Sequence, residues 1–214
     1  MSIPTLLDHV VIAAPNLHGL VTWFAERTGI TAAPGGAHPT GTANALVALT
    51  VDGARGPHYI ELIGPDPARA GEAPPSTFGI DGLSAPSVQA YAVHPDDIEA
   101  TVAAARERGF DPGDVSDLSR RKPDGELLEW RLTKGERLAG VPFLIDWGTT
   151  LQPGLSDIPA IELVSLVRVE PDPEPLRARL AALGLGDGVA EVVEGDEPGY
   201  QLVLRRADGE LVTL

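Results

Sequence analysis

Strand-like runs of alternating apolar residues and amphipathic helix-like stretches follow one another in a fixed order along this chain. Prolines and glycines are spread between them and mark their ends. In the first unit a strand-like run closes at Pro15, and the following helix is predicted to begin at the N-cap Asn16 and to end at Gly29. Two further strand-like runs complete the unit. Its four stretches are TLLDHVVIAAP, LHGLVTWFAERTG, NALVALTV and HYIELIG.

The same order recurs in the rest of the chain, at a period of about 75 residues. The pattern therefore predicts an α+β fold in which repeated βαβββ modules form a cupped mixed sheet. We expect one domain over about residues 1–150, built from modules at about 5–65 and 85–149. A third, βαβββ-like module at about 158–214 is expected to pack against it.

Composition narrows the chemistry that is open to the chain. Cysteine is absent, which leaves histidine, carboxylate and hydroxyl groups as candidate catalysts and ligands. A net charge of -15 disfavours nucleic acid and anionic membranes as partners, because both would be repelled. No cationic leader and no apolar run of the ~18 residues that span a bilayer is present. We expect a cytoplasmic monomer or homodimer that binds a small molecule.

The proline that closes each first strand gives a common reference point for the three units. Strand alternation places His9 on the face opposite Val10 and Ile12, the pair expected beneath the helix. The same alternation gives Gln89 the face of Tyr91. The reference prolines are Pro15, Pro95 and Pro171, and the residues six positions before them are His9, Gln89 and Ser165.

A carboxylate lies within the last strand of each of the first two units. Glu61 stands in YIELIG and Asp146 in LIDWG, each among isoleucine, leucine or tryptophan. Burying a charge in such a strand costs several kcal/mol unless the group is paired or coordinated. The sequence therefore predicts a partner or a ligand for both carboxylates.

These features together resemble the vicinal oxygen chelate superfamily, which includes glyoxalase I, extradiol dioxygenases, fosfomycin-resistance enzymes and bleomycin-binding proteins. The resemblance is strongest to the glyoxalase-like branch and covers nearly all of residues 5–150. It implies two modules that wrap a cupped sheet around a ligand. The motifs that carry it are LDHVVIAAP, GGAHPTGTAN, YIEL, DGELLEW and PFLIDWG.

The resemblance also implies one divalent ion, Zn, Ni, Mn or Fe, held by a ligand from the first and the last strand of each module. Nitrogen and oxygen ligands suit these metals. The ion would polarise a small oxygenated substrate in lyase or isomerase chemistry, with Glu61 or Asp146 as the base. The third unit offers only Ser165 and Thr213 at these places and is expected to be structural. Carried over by position, the ligand set is His9, Glu61, Gln89 and Asp146.

The glycine-rich stretch PGGAHPTGTAN is expected to border the mouth of the cup. There His38 is a candidate ligand or general acid–base, while Thr42 and Asn44 are candidates to hold a substrate oxygen. With His9 and Glu61, His38 would form a two-histidine, one-carboxylate triad suited to Fe(II) dioxygenase chemistry. Alternatively, the stretch is a bulged edge strand whose side chains satisfy its own backbone.

Two further features leave alternatives open. The basic run RRK at 120–122 is either a binding site for a substrate carboxylate or a solvated hairpin flank. Trp130 is either a core residue or part of the lining of the cup. A metal-free protein that sequesters a small hydrophobic or drug-like molecule in the same cup is the main alternative to an enzyme.

Overall fold

A computed structural model describes residues 6–121, 125, 127–186 and 189–214. Lys122 of the basic run lies outside these residues. The strands are β1 (Leu7–Ala13), β2 (Ala33–Ala37), β3 (Thr42–Val51), β4 (Ala54–Pro65), β5 (Ser87–Val93), β6 (Asp114–Arg121), β7 (Leu127–Lys134), β8 (Phe143–Asp146), β9 (Ala160–Glu170), β10 (Glu191–Glu194), β11 (Gly199–Arg205) and β12 (Leu211–Thr213). The α-helices are α1 (Leu17–Thr28), α2 (Ile98–Glu107) and α3 (Glu174–Ala182), and short 3-10 turns cover Pro67–Arg69, Thr77–Gly82 and Pro153–Leu155.

The first two βαβββ modules have the same strand order. In the first module, β1 pairs with β4 in parallel, and β3 and β2 follow; in the second, β5 pairs with β8 in parallel, and β7 and β6 follow. The modules join through the antiparallel pair β1 and β5, where Val11 faces Ala90. The far edges also meet, since β2 contacts β6. The sheet therefore curves into the predicted cup.

The third unit has the predicted βαβββ element order but different strand pairing. Its first strand, β9, continues the sheet by pairing in parallel with the end of β3, where Ala48 faces Ala160. β9 then pairs with β11 in antiparallel and with β10 in parallel, instead of with the last strand of its own unit. The third unit thus extends the edge of the sheet and does not form another half of the cup.

All three helices pack against the outer face of the sheet, where Val10 and Ile12 lie in the main core with Leu20 and Phe24 of α1. The predicted ends of α1 are confirmed: the Asn16 side chain accepts a hydrogen bond from the Gly19 amide, and the helix stops at a left-handed Gly29. Burying these apolar side chains is the main stabilising contribution to this layer. Among the described residues, no helix is long and apolar enough to cross a membrane.

The concave face begins at His9 and continues through Val11 and Ala13. Leu7, expected on this face, instead packs in the main core of the outer face. The reason is a register shift in the β1–β5 ladder between Leu7 and His9, which interrupts strict alternation. Two consecutive polar side chains, Asp8 and His9, are buried as a result.

Candidate functional site

A cavity of about 500 Å³ opens on the concave face of the cup. The first module contributes His9 from β1, Asn44 from β3 and Glu61 from β4. The second module faces them with Arg120 from β6 and Trp130 from β7. A concave, mostly apolar space with a few convergent polar groups is the usual form of a small-molecule site.

His9 is held in one orientation by its neighbours. Its Nδ1 atom lies 2.6 Å from Oδ1 of Asp8, and its ring stacks on Tyr59 at 4.5 Å between centroids and meets the edge of Phe143 at 5.4 Å. A carboxylate at Nδ1 favours the tautomer that carries its proton there. The Nε2 atom, 3.9 Å from Oε2 of Glu61, is thereby left as the proton acceptor on the cavity side.

Asp8 is the functional side chain that sequence reasoning missed. It is completely buried, and its second oxygen accepts hydrogen bonds from Trp147 Nε1 and Gln152 Nε2, each at 3.0 Å. A buried carboxylate is stable only when donors surround it, and here one donor is the neighbouring His9 and the other two come from the segment that follows β8. The signal available in the sequence was the second polar residue in LLDHVVIAA, next to the selected histidine.

Glu61 is fixed by an amide from the neighbouring strand. Its Oε1 accepts a hydrogen bond of 2.6 Å from Asn44 Nδ2, while Asn44 Oδ1 accepts one of 2.9 Å from the amide of Gly36. These two bonds set which way the Asn44 amide points. Oε2 of Glu61 is left directed at the cavity and at His9.

His38 lies at the mouth of the cavity beside this amide. Its Nδ1 is 2.8 Å from Thr42 Oγ1, and its Nε2 is 3.5 Å from Asn44 Nδ2. Burial lowers the pKa of His38, against an opposing effect of the Glu61 charge, so the imidazole is neutral at pH 7. Thr42 and Asn44, predicted to hold a substrate oxygen, line the cavity and form hydrogen bonds with His38 and Glu61.

Both interpretations of the glycine-rich stretch hold in part. It forms edge strand β2 with a register shift between Pro34 and Gly36, and it satisfies its backbone through Asn44, as the structural alternative predicted. His38, Thr42 and Asn44 nevertheless line the cavity. Trp130 also lines it, at 5.7 Å from Trp147.

The second module does not place its predicted ligands at the cavity. Gln89 donates a hydrogen bond of 2.6 Å to Ser87, and a register shift in the β1–β5 ladder falls at this point of β5. Ala90 and Ala92 face the concave side, whereas Tyr91 packs in the main core of the outer face. The predicted facing of β5 is therefore wrong for Ala90, Tyr91 and Ala92, whereas Val88 packs against the main core as predicted.

Asp146 is turned away from the cavity by alternation. Phe143 and Ile145 of β8 line the cavity, so Asp146 points to the opposite face. There it accepts hydrogen bonds of 3.2 and 2.5 Å from Arg131 and one of 2.8 Å from the amide of Gly148. The Arg131 guanidinium and this amide lower the pKa of Asp146. The prediction that this carboxylate has a partner is therefore confirmed, and the partner is Arg131 instead of a metal ion.

The four-ligand metal set is therefore not assembled. Within 6–121, 125, 127–186 and 189–214, no group of three or more histidine, aspartate or glutamate side chains is placed to hold a metal ion. His9 and Glu61 offer two donors, and the Asn44 amide separates Glu61 from His38. Because catalytic zinc sites and facial-triad iron sites use three protein ligands, these two donors do not fit the implied ion.

Comparison with known proteins identifies the family. A model of the glyoxalase-like domain matches residues 7–184. No curated protein matches the chain. A hypothetical protein from Staphylococcus aureus shares the fold at 16% identity, over 97% of this chain and 84% of that one, with a TM-score of 0.60.

Methylmalonyl-CoA epimerases are also among the similar structures. The one from Mycobacterium tuberculosis is 21% identical, over 68% of this chain and 88% of its own, with a TM-score of 0.40. A variant of the enzyme from Streptomyces coelicolor is 20% identical, over 72% of this chain and 100% of its own, with a TM-score of 0.45. From the family match over most of its length, the chain belongs to the glyoxalase-like domain family.

Proposed function

We propose that this protein is an enzyme of the isomerase or lyase type that moves a proton on a small oxygenated substrate, with His9 and Glu61 as its acid–base pair. The observation that carries the proposal is the separation of 3.9 Å between Nε2 of His9 and Oε2 of Glu61, both directed at the cavity. Each group has its other polar atom occupied, His9 by Asp8 and Glu61 by Asn44. Such preorganisation is typical of groups that transfer protons.

The reaction that suits this pair is enolisation next to a carbonyl group. Glu61 removes a proton from the substrate carbon, and the electron pair of the broken C–H bond moves onto the carbonyl oxygen. His9, with its Nδ1 proton held by Asp8, accepts that proton from Glu61 at Nε2 and delivers it to the carbonyl oxygen, so that the substrate leaves as its enol isomer and both residues return to their starting protonation. His38, neutral at the mouth, is placed to form a hydrogen bond with a substrate oxygen.

Solvent exchange tests this proposal without knowledge of the natural substrate. A panel of small aldehydes, hydroxyketones and 2-oxo acids is incubated with the protein in D₂O, and loss of the C–H signal next to the carbonyl is followed by proton NMR. We expect Glu61→Gln and His9→Gln to slow exchange by at least about 100-fold, the usual contribution of a positioned acid or base.

Matched control variants are available for both substitutions. Asp146→Asn changes a carboxylate at the corresponding place of the second module, and His18→Gln changes an exposed histidine. Both should exchange at the unmodified rate. Full activity of Glu61→Gln would contradict the proposal.

A metal-free binding protein is the second candidate. It is favoured by the apolar and aromatic part of the lining, which includes Trp130, Phe78 and Phe143. A protein of this kind would bind panel members by calorimetry, would exchange none of them, and would keep its affinity in Glu61→Gln.

A further inference from the structure

The cavity contrasts in charge with the rest of the chain. The protein carries a net charge of -15, yet three basic side chains line the cavity, Arg120, Lys134 and Arg137, against two carboxylates, Glu61 and Asp117. A basic lining on an acidic protein concentrates positive potential at one place. Such a cavity attracts small anions.

Arg120 is the most constrained of the three basic residues. Its residue surface is only 8% exposed, and no described residue accepts a hydrogen bond from its buried Nη1 atom. The charge of Glu61 acts on its guanidinium, but no carboxylate of a described residue lies within 4.0 Å of it. A buried cation without a carboxylate partner is costly, and an anion bound where Arg120 lines the cavity would offset that cost.

Gly36 explains how the guanidinium fits at this point. A Cβ atom at position 36 would lie 2.6 Å from Arg120 Nη1, so a larger residue would collide with it. The amide of the same glycine donates to Asn44, which holds Glu61. Gly36 of β2 therefore packs against Arg120 and, through Asn44, also helps to hold Glu61 of the proposed acid–base pair.

The side of the cavity that connects Arg137 with His9 is aromatic. The Arg137 guanidinium lies 4.0 Å from the ring centroid of Phe78, which has a positive φ of 55°, and Phe78 is 6.1 Å from Phe143. Phe143 in turn meets His9. Backbone strain in a non-glycine residue at a ligand cavity is typical of a built site.

We propose that the substrate is a carboxylic acid with an apolar or aromatic body, whose carboxylate binds Arg120 and whose reacting carbon lies between His9 and Glu61. The proposal rests on the function given above and names its substrate class. The guanidinium would bind the carboxylate through charge-assisted hydrogen bonds. The aromatic wall would cover the carbon skeleton.

Two probes that differ only in charge test the proposal. Binding of phenylpyruvate and of its methyl ester is measured by calorimetry with the unmodified protein, Arg120→Gln and Arg121→Gln. We expect the acid to bind at least about tenfold more tightly than the ester, the contribution of a hydrogen bond to a charged group. Arg120→Gln should abolish that difference, whereas Arg121→Gln, which changes the exposed neighbour on the same strand, should keep it.

Each outcome decides between the two proposals. Equal affinity for acid and ester, or no binding of either at millimolar concentration, overturns the carboxylate site, and neither result requires a variant to fold. Acid-selective binding that depends on Arg120 without any proton exchange leaves the site in place and overturns the enzyme. Proton exchange without selectivity for the acid leaves the enzyme in place and overturns the carboxylate site.

Discussion

The two modules of the cup have the same strand order and different chemistry. The first supplies His9 and Glu61, the proposed acid–base pair, whereas the second supplies Arg120 and aromatic side chains. The second module also has a polar residue at each corresponding place, but Gln89 bonds to Ser87 and Asp146 to Arg131. The two modules thus share the path of the backbone, and a shift of one residue decides whether a side chain faces the cavity.

Support for the first-strand residue is the sharpest difference between the modules. Asp8 holds His9, and three donors surround it, whereas Gln89 has only a serine two residues away. Because asparagine offers only one acceptor oxygen and adds an amide donor, Asp8→Asn leaves buried donors unpaired. We expect it to lower the free energy of unfolding by about 1 to 3 kcal/mol for each buried donor that is left without an acceptor. Gln89→Ala should cost less than about 1 kcal/mol.

Urea denaturation of the two variants measures this difference. Proton exchange provides a second readout, since Asp8→Asn should lower the exchange rate even where the protein is folded, because the His9 tautomer is no longer fixed. Similar stability losses in both variants would show that the two modules are supported alike.

The sequence predicted the fold well because it depends on features that are local. Helix ends at Asn16 and Gly29 and the order of strands are encoded by neighbouring residues. The facing of Gln89 could not be predicted, since a register shift in β5 depends on how the strand pairs with β1. The predicted facing of Asp146 was wrong for a related reason, because the alignment of strand ends by motif does not reveal which residues of β8 face the cavity.

The contact between the modules can be broken at Gly36. Gly36→Ala places a Cβ atom 2.6 Å from Arg120 Nη1, so the guanidinium must move. We expect a loss of about 1 to 3 kcal/mol in the free energy of unfolding, as for other overpacked sites, together with weaker discrimination between phenylpyruvate and its ester. Gly82→Ala is the control, because no atom lies within 4 Å of its added Cβ. Unchanged discrimination in Gly36→Ala would separate β2 from the binding of anions.

Arg120 illustrates what single-sequence patterns leave open. The run at 120–122 was consistent with a solvated flank or an anion site, and its first two members differ: Arg120 is buried beneath β2, whereas Arg121 is exposed. The difference arises from the closure of the cup, which brings together strands that are some eighty residues apart in the chain. Periodicity contains no information about that contact.

His38, at the mouth of the cavity, should make the stability of the folded protein depend on pH. Burial lowers the pKa of His38 below its ordinary value of 6.5, so the unfolded chain binds a proton that the folded protein does not. The contribution of His38 therefore reduces stability as pH falls below about 6.5, by less than the 1.4 kcal/mol per pH unit that one proton allows. Urea denaturation at pH 7.5 and 5.5 should show a smaller decrease for His38→Gln than for the unmodified protein. His18→Gln should behave like the unmodified protein.

The smallest expected effect concerns a metal shared between the modules. The resemblance implies an ion held by His9, Glu61, Gln89 and Asp146, but two of these four side chains are committed elsewhere and the other two offer too few donors. Thermal-shift titration with Mn(II), Fe(II), Ni(II) and Zn(II) should therefore give the same change for the unmodified protein and for His9→Gln and Glu61→Gln. Elemental analysis of protein purified without chelator or affinity tag extends the test. If the unmodified protein held near-stoichiometric metal and both variants lost it, metal binding would have to rearrange the cup. Gln89 and Asp146 of the second module would then again be candidate ligands.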